Sequence, residues 1–236
     1  MKYIYVALLL GASFVIYLTQ QEDVEVKKVV QAKYTPSIVP QKMSTQEKKA
    51  RFYALIVPAV EKVHKELTTQ YENTAQDIKN GTNRKNLQRL KVIYKAQTNE
   101  QLLAALKPHP QSIVLAQAAM ESAWATSRFF VKANNIFGIY SVNEEEPRIA
   151  ASEKREGRRT IWLRKFATVE ESVRAYYRLM AKGSAFEEFR TLRVTTNDPH
   201  KLVKKLDKYS EIGAAYGKEL SQVIKFNKLI KYDKLH

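Results

Sequence analysis

The pattern of apolar and polar positions predicts a helical protein whose most apolar segment lies near the middle of the chain. From Ile113 to Met120 only Gln117 is polar, and Pro110 stands where a first helical residue is commonly found. A helix that is apolar nearly all round is typical of a buried central helix. Glu121 follows this run, and a lone carboxylate on a buried helix is costly without a partner or a chemical role.

Three further helices are predicted before the central one. A capping box at Ser44–Glu47 opens the first, and its apolar positions recur every three or four residues until Asn80–Gly81 gives a stop signal. Pro58 lies inside this pattern and is expected to kink the helix or to divide it in two. Shorter helices are expected over residues 83–96 and 100–106.

The composition changes after the central helix, between about residues 140 and 166. Thr160–Phe166 has the composition of a strand, and Gly157 suits a hairpin turn. Helices are then expected from Thr168 to Gly183, from Asp198 to Leu206, and from about Leu220 to Ile230. We therefore predict a mainly α fold with a small inserted β-hairpin, the β-lobe, at about residues 140–166.

The N-terminal segment predicts export from the cytoplasm. Residues 3–18 carry no charge and follow Lys2, which is typical of a signal peptide or a short membrane anchor. Because no small-residue cleavage site is evident after this segment, we favour an uncleaved anchor over residues 1–20. Residues 21–43 are polar, contain two prolines and are expected to form a linker, which leaves 44–236 as the folded domain.

Charge and composition narrow the kind of partner. The net charge of +16 favours an anionic partner such as nucleic acid, a membrane surface or a cell-wall polymer, and export disfavours nucleic acid. The chain has no cysteine, so disulfides and thiolate chemistry are excluded, and its four histidines are far apart. We expect no metal site, no cofactor and a monomer.

Glu121 is a candidate general acid. Burial and the negative end of the helix dipole both raise the pKa of a carboxyl group at this place. Gln117 and Trp124 lie on the same helix face, and a protonated carboxyl beside an aromatic ring can protonate a departing glycosidic oxygen. The alternative, a structural ion pair between Glu121 and an arginine such as Arg128, is equally open at this point.

A glycosidase also needs a base, a nucleophile or assistance from the substrate. The predicted hairpin carries Glu153 and Glu156, whereas Glu144–Glu146 form a charge run that we interpret as a solvated tip. Tyr209 lies in a later loop that could face the same cleft. Spacing alone selects none of these groups.

The segment Asn134–Gly138 is expected to form a sharp turn, because Asn and Gly tolerate left-handed backbone. We assign Asn134 a mainly structural role and Asn135 either a structural or a sugar-binding one. Four aromatic residues are candidates for a sugar-stacking wall, although most of them are more typical of a core: Trp124, Phe129, Phe137 and Tyr140.

Several motifs together resemble the peptidoglycan-hydrolysing N-acetylglucosaminidases of glycoside hydrolase family 73, and in particular the Bax-type proteobacterial members. The resemblance covers roughly residues 45–235. It is carried, in this order, by Ala116–Phe129, Asn134–Ile139, Arg164–Phe166, Glu170–Val173, Lys208–Gly213 with Tyr216, Asn227 and Tyr232–Asp233.

The resemblance implies a lysozyme-like helical domain with a mobile β-lobe. It places the catalytic glutamate at Glu121, a second carboxylate at Glu153 with Glu156 as the next candidate, and a catalytic tyrosine at Tyr209. The family's usual Gly-Trp-Gly after the acid is replaced by Ala123–Ala125 here, and Phe166 stands where the family often has tyrosine.

The expected function is therefore that of an endo-β-N-acetylglucosaminidase acting on peptidoglycan glycan strands. Catalysis is assigned to Glu121, Glu153 and Tyr209, and substrate binding to Gln117, Trp124, Asn135 and Phe137. The expected location is the periplasmic side of the inner membrane, with the chain anchored there or released as a soluble protein. The alternatives are a lytic transglycosylase or muramidase acting on the same glycan, and a non-catalytic wall-binding module.

Overall fold

The computed structural model describes residues 34–151 and 160–234. The predicted anchor at 1–20, the first part of the linker, and the hairpin segment with Glu153 and Glu156 therefore lie outside the described residues.

Within the described ranges the chain is mainly helical, as predicted. The α-helices are α1 Thr45–Asn80, α2 Arg84–Tyr94, α3 Asn99–Leu106, α4 Gln111–Glu121, α5 Arg128–Ala133, α6 Val169–Lys182, α7 Glu187–Thr195, α8 Pro199–Leu202 and α9 Ala214–Phe226. Short 3-10 helices cover Ser184–Phe186, Val203–Lys205 and Leu229–Lys234. The strands are β1 Arg148–Ala150 and β2 Trp162–Arg164.

Helix α1 begins and ends at the predicted signals. The Ser44 N–H donates to the Glu47 carboxylate at 2.8 Å, and the Glu47 N–H donates to the Ser44 hydroxyl at 3.2 Å. Gly81 ends the helix with a left-handed φ of 67°. Of the two outcomes expected at Pro58, a kink or a division, division of the helix is wrong. Phe52 and Val63 are buried in one core on either side of the proline and hold both halves in a single helix.

Helix α4 is the buried central helix that the sequence predicts. Its residues 111–119 are all buried, and it packs against α1, α9 and the last 3-10 helix. Pro110 precedes the helix as its N-cap rather than being its first residue. The carboxylate of Asp233 accepts a hydrogen bond from the Ser112 N–H at 2.8 Å, so an acidic group satisfies the N-terminus of the helix.

The β-lobe is a two-stranded antiparallel hairpin in which Ile149 pairs with Leu163. The Asn135 amide fixes its base by donating to the carbonyls of Ile139 and Arg164, both at 2.9 Å, and by accepting from the Ile139 N–H at 2.9 Å. Asn134 has a left-handed φ of 49°, and its side chain donates to the Phe166 carbonyl at 3.0 Å. The structural role assigned to Asn134 is thus confirmed.

The C-terminal part matches the predicted caps but differs in its helices. Thr168 caps α6, which ends before Gly183, and Asp198 caps α8 with its side chain. Helix α7 was not predicted. The expected helix to Leu206 is α-helical only as far as Leu202, and the last expected helix is interrupted where Lys228 takes a φ of 52°.

None of the helices in residues 34–151 and 160–234 combines the length and the apolar character needed to cross a bilayer.

Candidate active site

Glu121 is the last residue of α4, and its side chain lies where the buried helix meets solvent. Sequence reasoning treated this carboxylate as buried, and the structure corrects that: burial ends at Ala119, one residue before the half-buried Met120. The hydroxyl of Tyr216, on α9, donates to Glu121 Oε1 at 2.8 Å. One carboxylate oxygen therefore has a buried donor, while the side chain as a whole stays open to solvent.

Two opposing effects act on the pKa of Glu121. Desolvation by the surrounding protein raises it, and the hydrogen bond from Tyr216 lowers it by stabilising the carboxylate. Desolvation is the larger effect, so the pKa of Glu121 lies above the usual glutamate value, in the direction that the sequence predicts. A raised pKa keeps more of the acid protonated near neutral pH, as general acid catalysis requires.

The turn after Glu121 is strained. Ala123, Trp124 and Ala125 have φ values of 50°, 63° and 62°, a left-handed conformation that non-glycine residues rarely adopt. At these three positions, the family that the chain resembles usually has Gly-Trp-Gly. The Ser122 hydroxyl accepts from the Ala125 N–H at 2.8 Å, which helps to hold the turn in place.

A buried arginine supports the same turn. Arg51, on α1, has no exposed surface and donates to the Ala125 carbonyl. Its other terminal nitrogen donates to the carbonyls of Thr35 at 2.9 Å and Pro36 at 3.0 Å. One guanidinium therefore ties the turn beside Glu121 to the chain that precedes α1.

Trp124 is half-buried in the strained turn. Its ring makes edge-to-face contacts with Phe52 and Tyr53, at centroid separations of 5.2 and 6.2 Å, and the Lys49 ammonium lies 5.0 Å from the ring centroid. These contacts hold the ring in place, and part of it stays accessible to solvent. Trp124 follows Glu121 by three residues. Its role in sugar binding stays a prediction.

The other three residues predicted to bind substrate are buried, which argues against direct contact with a sugar. Gln117 has no exposed surface and exchanges hydrogen bonds with Tyr176 and Tyr216. Asn135 is engaged with the backbone at the base of the β-lobe. Phe137 stacks on Tyr176 at a centroid separation of 4.1 Å. Gln117 and Phe137 support the site from within, because Tyr176 of α6 covers both of them.

Tyr209 and Tyr216 lie together next to the acid. Their rings are stacked at 5.3 Å and are nearly parallel, with an interplanar angle of 11°. The hydroxyl that donates to Glu121 belongs to Tyr216, which sequence reasoning placed in the motif without giving it a role. Tyr209 packs behind it, and its catalytic role stays a prediction.

The alternative of an ion pair between Glu121 and Arg128 is wrong. Arg128 instead donates to the carbonyls of Ala150 at 2.6 Å and Ala151 at 2.9 Å. This contact joins the start of α5, just after the strained turn, to the end of β1.

The described residues offer little to a metal ion. Across residues 34–151 and 160–234, no three His, Cys, Asp or Glu side chains are grouped closely enough to bind one.

A helical domain with a partly desolvated carboxylic acid at the end of its central helix, and a small β-lobe beside it, is the arrangement expected of a glycosidase-type hydrolase. The comparison with protein families agrees. The model of the Glucosaminidase family, described as mannosyl-glycoprotein endo-β-N-acetylglucosaminidase, matches residues 96–229, more than half of the chain. The chain belongs to this family, glycoside hydrolase family 73, and is a glycoside hydrolase; its place in the Bax-type subgroup stays a prediction.

One of the solved structures that are similar to this chain shows the same fold, at low identity. The catalytic domain of the autolysin Auto from Listeria monocytogenes is 16% identical, with 82% of this chain and 92% of that chain covered and a TM-score of 0.51. A peptidoglycan hydrolase from Sphingomonas sp. A1 is 21% identical over 60% of this chain and 92% of that chain, with a TM-score of 0.43. A truncated glycoside hydrolase domain of FlgJ from Salmonella typhimurium is 19% identical over 59% and 97% of the two chains, with a TM-score of 0.41. No curated protein matches the chain.

Proposed function

We propose that this endo-β-N-acetylglucosaminidase hydrolyses the glycan strands of peptidoglycan and that Glu121 is its general acid. The observation that carries the proposal is the Tyr216–Glu121 pair at the solvent end of α4, in a chain of the glucosaminidase family. Peptidoglycan is an anionic wall polymer, and the net charge of +16 suits it.

In the proposed reaction, Glu121 gives its proton to the glycosidic oxygen as the bond from that oxygen to the anomeric carbon of N-acetylglucosamine breaks. Water then supplies the hydroxyl at that carbon and loses a proton to a base. We propose Glu153 as this base, with Glu156 as the alternative. Arg128, which follows the turn after Glu121, donates to the carbonyls of Ala150 and Ala151, and these two residues precede both glutamates in the chain. In a second route the acetamido group of the substrate assists the reaction, and the carboxylate of the β-lobe is secondary.

The products of digestion test this function. Purified peptidoglycan is incubated with the protein, and the released fragments are analysed by mass spectrometry. Reducing N-acetylglucosamine ends are expected. Anhydromuramic ends would instead identify a lytic transglycosylase, and reducing muramic acid ends a muramidase.

A pair of variants tests the role of Glu121. Glu121→Gln keeps the shape of the side chain but removes the proton, and we expect hydrolysis to fall at least ~100-fold, the lower end for general acid catalysis. Glu145→Gln, at an exposed carboxylate on the tip of the β-lobe, is the matched control and should leave the rate unchanged. A loss of less than tenfold in Glu121→Gln would place the acid elsewhere, and unchanged wall binding without any hydrolysis by the wild type would indicate a non-catalytic module.

We also propose a location on the periplasmic side of the inner membrane, held there by residues 1–20. The uncharged run at residues 3–18 after Lys2 supports this, and the linker would give the catalytic domain reach from the membrane. Membrane fractionation, together with the intact mass of the isolated protein, distinguishes an uncleaved anchor from a released soluble form. Full recovery in the cytoplasm would contradict both.

A further inference from the structure

A buried chain of hydrogen bonds runs from Arg193 to Glu121 through side chains on four helices and on the loop before α4. Arg193 lies 3.2 Å from His109 Nδ1, His109 Nε2 lies 2.8 Å from the Tyr176 hydroxyl, and that hydroxyl lies 2.5 Å from Gln117 Oε1. The chain continues from Gln117 Nε2 to the Tyr216 hydroxyl at 3.2 Å, and from there to Glu121 Oε1 at 2.8 Å.

Arg193 determines the direction of every bond in this chain. A guanidinium has donors only, so His109 Nδ1 must accept and His109 Nε2 must carry the hydrogen. Tyr176 then accepts from His109 and has its one proton left for Gln117 Oε1. The Gln117 amide nitrogen donates in turn to Tyr216.

We propose that Arg193 orients this chain so that Tyr216 always donates to Glu121 Oε1, which leaves Oε2 as the oxygen that carries the acid proton. Under this proposal Arg193, His109, Tyr176 and Gln117 are positioning residues for the acid. The proposal rests on the proposed function only in calling that proton catalytic.

The surroundings of the chain favour a fixed direction. Arg193, His109, Tyr176 and Gln117 are 0–1% exposed, so bulk solvent does not reach them. Burial and the nearby Arg193 hold the pKa of His109 well below its usual value, so the imidazole stays neutral and keeps one acceptor nitrogen. Burial lowers the pKa of Arg193 to about 10, which leaves it charged at neutral pH.

Titratable groups surround Glu121, His109 and Arg193. Within the described ranges, Tyr209 and Tyr216 face Glu121, and Tyr176, Tyr177, His64 and Arg193 surround His109. The neighbours of Arg193 are Tyr71, Tyr176, Tyr177, Arg190 and Lys107.

Reversal of the two hydrogen bonds that join Gln117, Tyr216 and Glu121 would misplace the acid proton. If the Gln117 amide were flipped so that its Oε1 accepted from Tyr216, the protonated Glu121 could donate to Tyr216, and its proton would point into the protein. A neutral acid in that state cannot protonate a glycosidic oxygen. The fixed direction therefore raises the fraction of neutral Glu121 that is ready to react.

Tyr176→Phe breaks the chain in the middle, and Tyr177→Phe is the matched control. Tyr177 is the next residue on α6, is also buried, and donates to the His109 carbonyl at 3.4 Å outside the chain. In Tyr176→Phe we expect kcat to fall about tenfold, the effect of one lost hydrogen bond to an important group, with KM unchanged. We also expect its basic pH limb to move to higher pH, because neutral Glu121 gains a new acceptor in Tyr216. Tyr177→Phe should match the wild type in both respects.

Nuclear magnetic resonance supplies readouts that do not depend on catalysis. Nitrogen-15 spectra of the wild type should show His109 neutral with its hydrogen on Nε2. Carbon-13 titration should show a higher Glu121 pKa in Tyr176→Phe than in Tyr177→Phe.

A hydrogen on His109 Nδ1, or equal kcat and Glu121 pKa in the two variants, would overturn the proposal. If the wild type hydrolyses no glycan, the proposed function fails while these spectra still decide on the chain. If Tyr176→Phe does not fold, the wild-type His109 spectrum decides alone.

Discussion

Replacing Ala123 by glycine should stabilise this protein, contrary to the usual effect of an alanine-to-glycine change. Ala123 is exposed and has a left-handed φ of 50°. An L-residue in this conformation loses about 1–2 kcal/mol, which glycine avoids. Glycine in turn makes the unfolded chain more flexible, which costs about 0.4–1 kcal/mol. The difference is a gain of about 0.5–1 kcal/mol in the free energy of unfolding.

Two control variants separate the backbone effect from the loss of a methyl group. Ala125→Gly relieves the same kind of strain at φ 62°, but Ala125 is fully buried, and removing its methyl costs about 0.8 kcal/mol. We expect this variant to be near neutral. Ala75→Gly, inside α1 where the backbone is an ordinary helix, should destabilise by about 0.5–1 kcal/mol.

Thermal unfolding followed by calorimetry measures all three changes. For a chain of this size, the gain in Ala123→Gly corresponds to a rise in Tm of about 1–4 °C, and the loss in Ala75→Gly to a similar fall. If Ala123→Gly lowered Tm as much as Ala75→Gly does, the turn after Glu121 would not be strained in solution, and the argument from its backbone would fail.

Three further results are expected. Tyr216→Phe removes the hydrogen-bond donor to Glu121, so the pKa of Glu121 should rise and the basic limb of the kcat profile should move to higher pH. We also expect kcat to fall roughly tenfold. An unshifted basic limb would contradict the assignment of Glu121 as the acid that Tyr216 contacts. Asn135→Ala removes three hydrogen bonds at the base of the β-lobe and should lower the free energy of unfolding by about 2–4 kcal/mol, measured by chemical denaturation. A change below about 0.5 kcal/mol, the size of an ordinary surface substitution, would refute this role. Because the pKa of Glu121 is raised in the folded state, ionisation destabilises the fold as pH rises through that pKa. Glu121→Gln should therefore be more stable than the wild type at neutral pH and equally stable in acid. A stability difference that stays constant across pH would show that Glu121 is not desolvated.

The sequence predicts well those features that depend on neighbouring residues. Helix caps such as Ser44, Gly81 and Asp198 were found at their predicted positions, because each acts within one turn of its own helix. The division expected at Pro58 was wrong, since the cost of one missing hydrogen bond is offset by core packing on both sides, which local propensity does not include. The unpredicted helix α7 lacks any comparable cap signal at its start.

The same distinction between local features and long-range packing applies to the candidate site. Glu121 could be found because it ends a long apolar run. Tyr216 lies 95 residues away, and only the packing of α9 on α4 brings its hydroxyl to the acid. Gln117 and Phe137 have residue types that suit sugar binding, yet α6 and α9 bury them, and no spacing rule states which helix will cover a given face.

The cap that Asp233 provides to the central helix affects how fragments of this protein should be designed. The family match ends at residue 229, four residues before Asp233, and begins at residue 96, after the whole of α1. A fragment cut at those limits would lose the side chain that satisfies Ser112 and the face of α1 that packs on α4. Its most apolar helix would then be left partly uncovered, so aggregation of such a fragment would say nothing about the enzyme. The shortest fragment worth expressing runs from Tyr34, which keeps the Thr35 and Pro36 carbonyls that accept from the buried Arg51, to beyond Asp233.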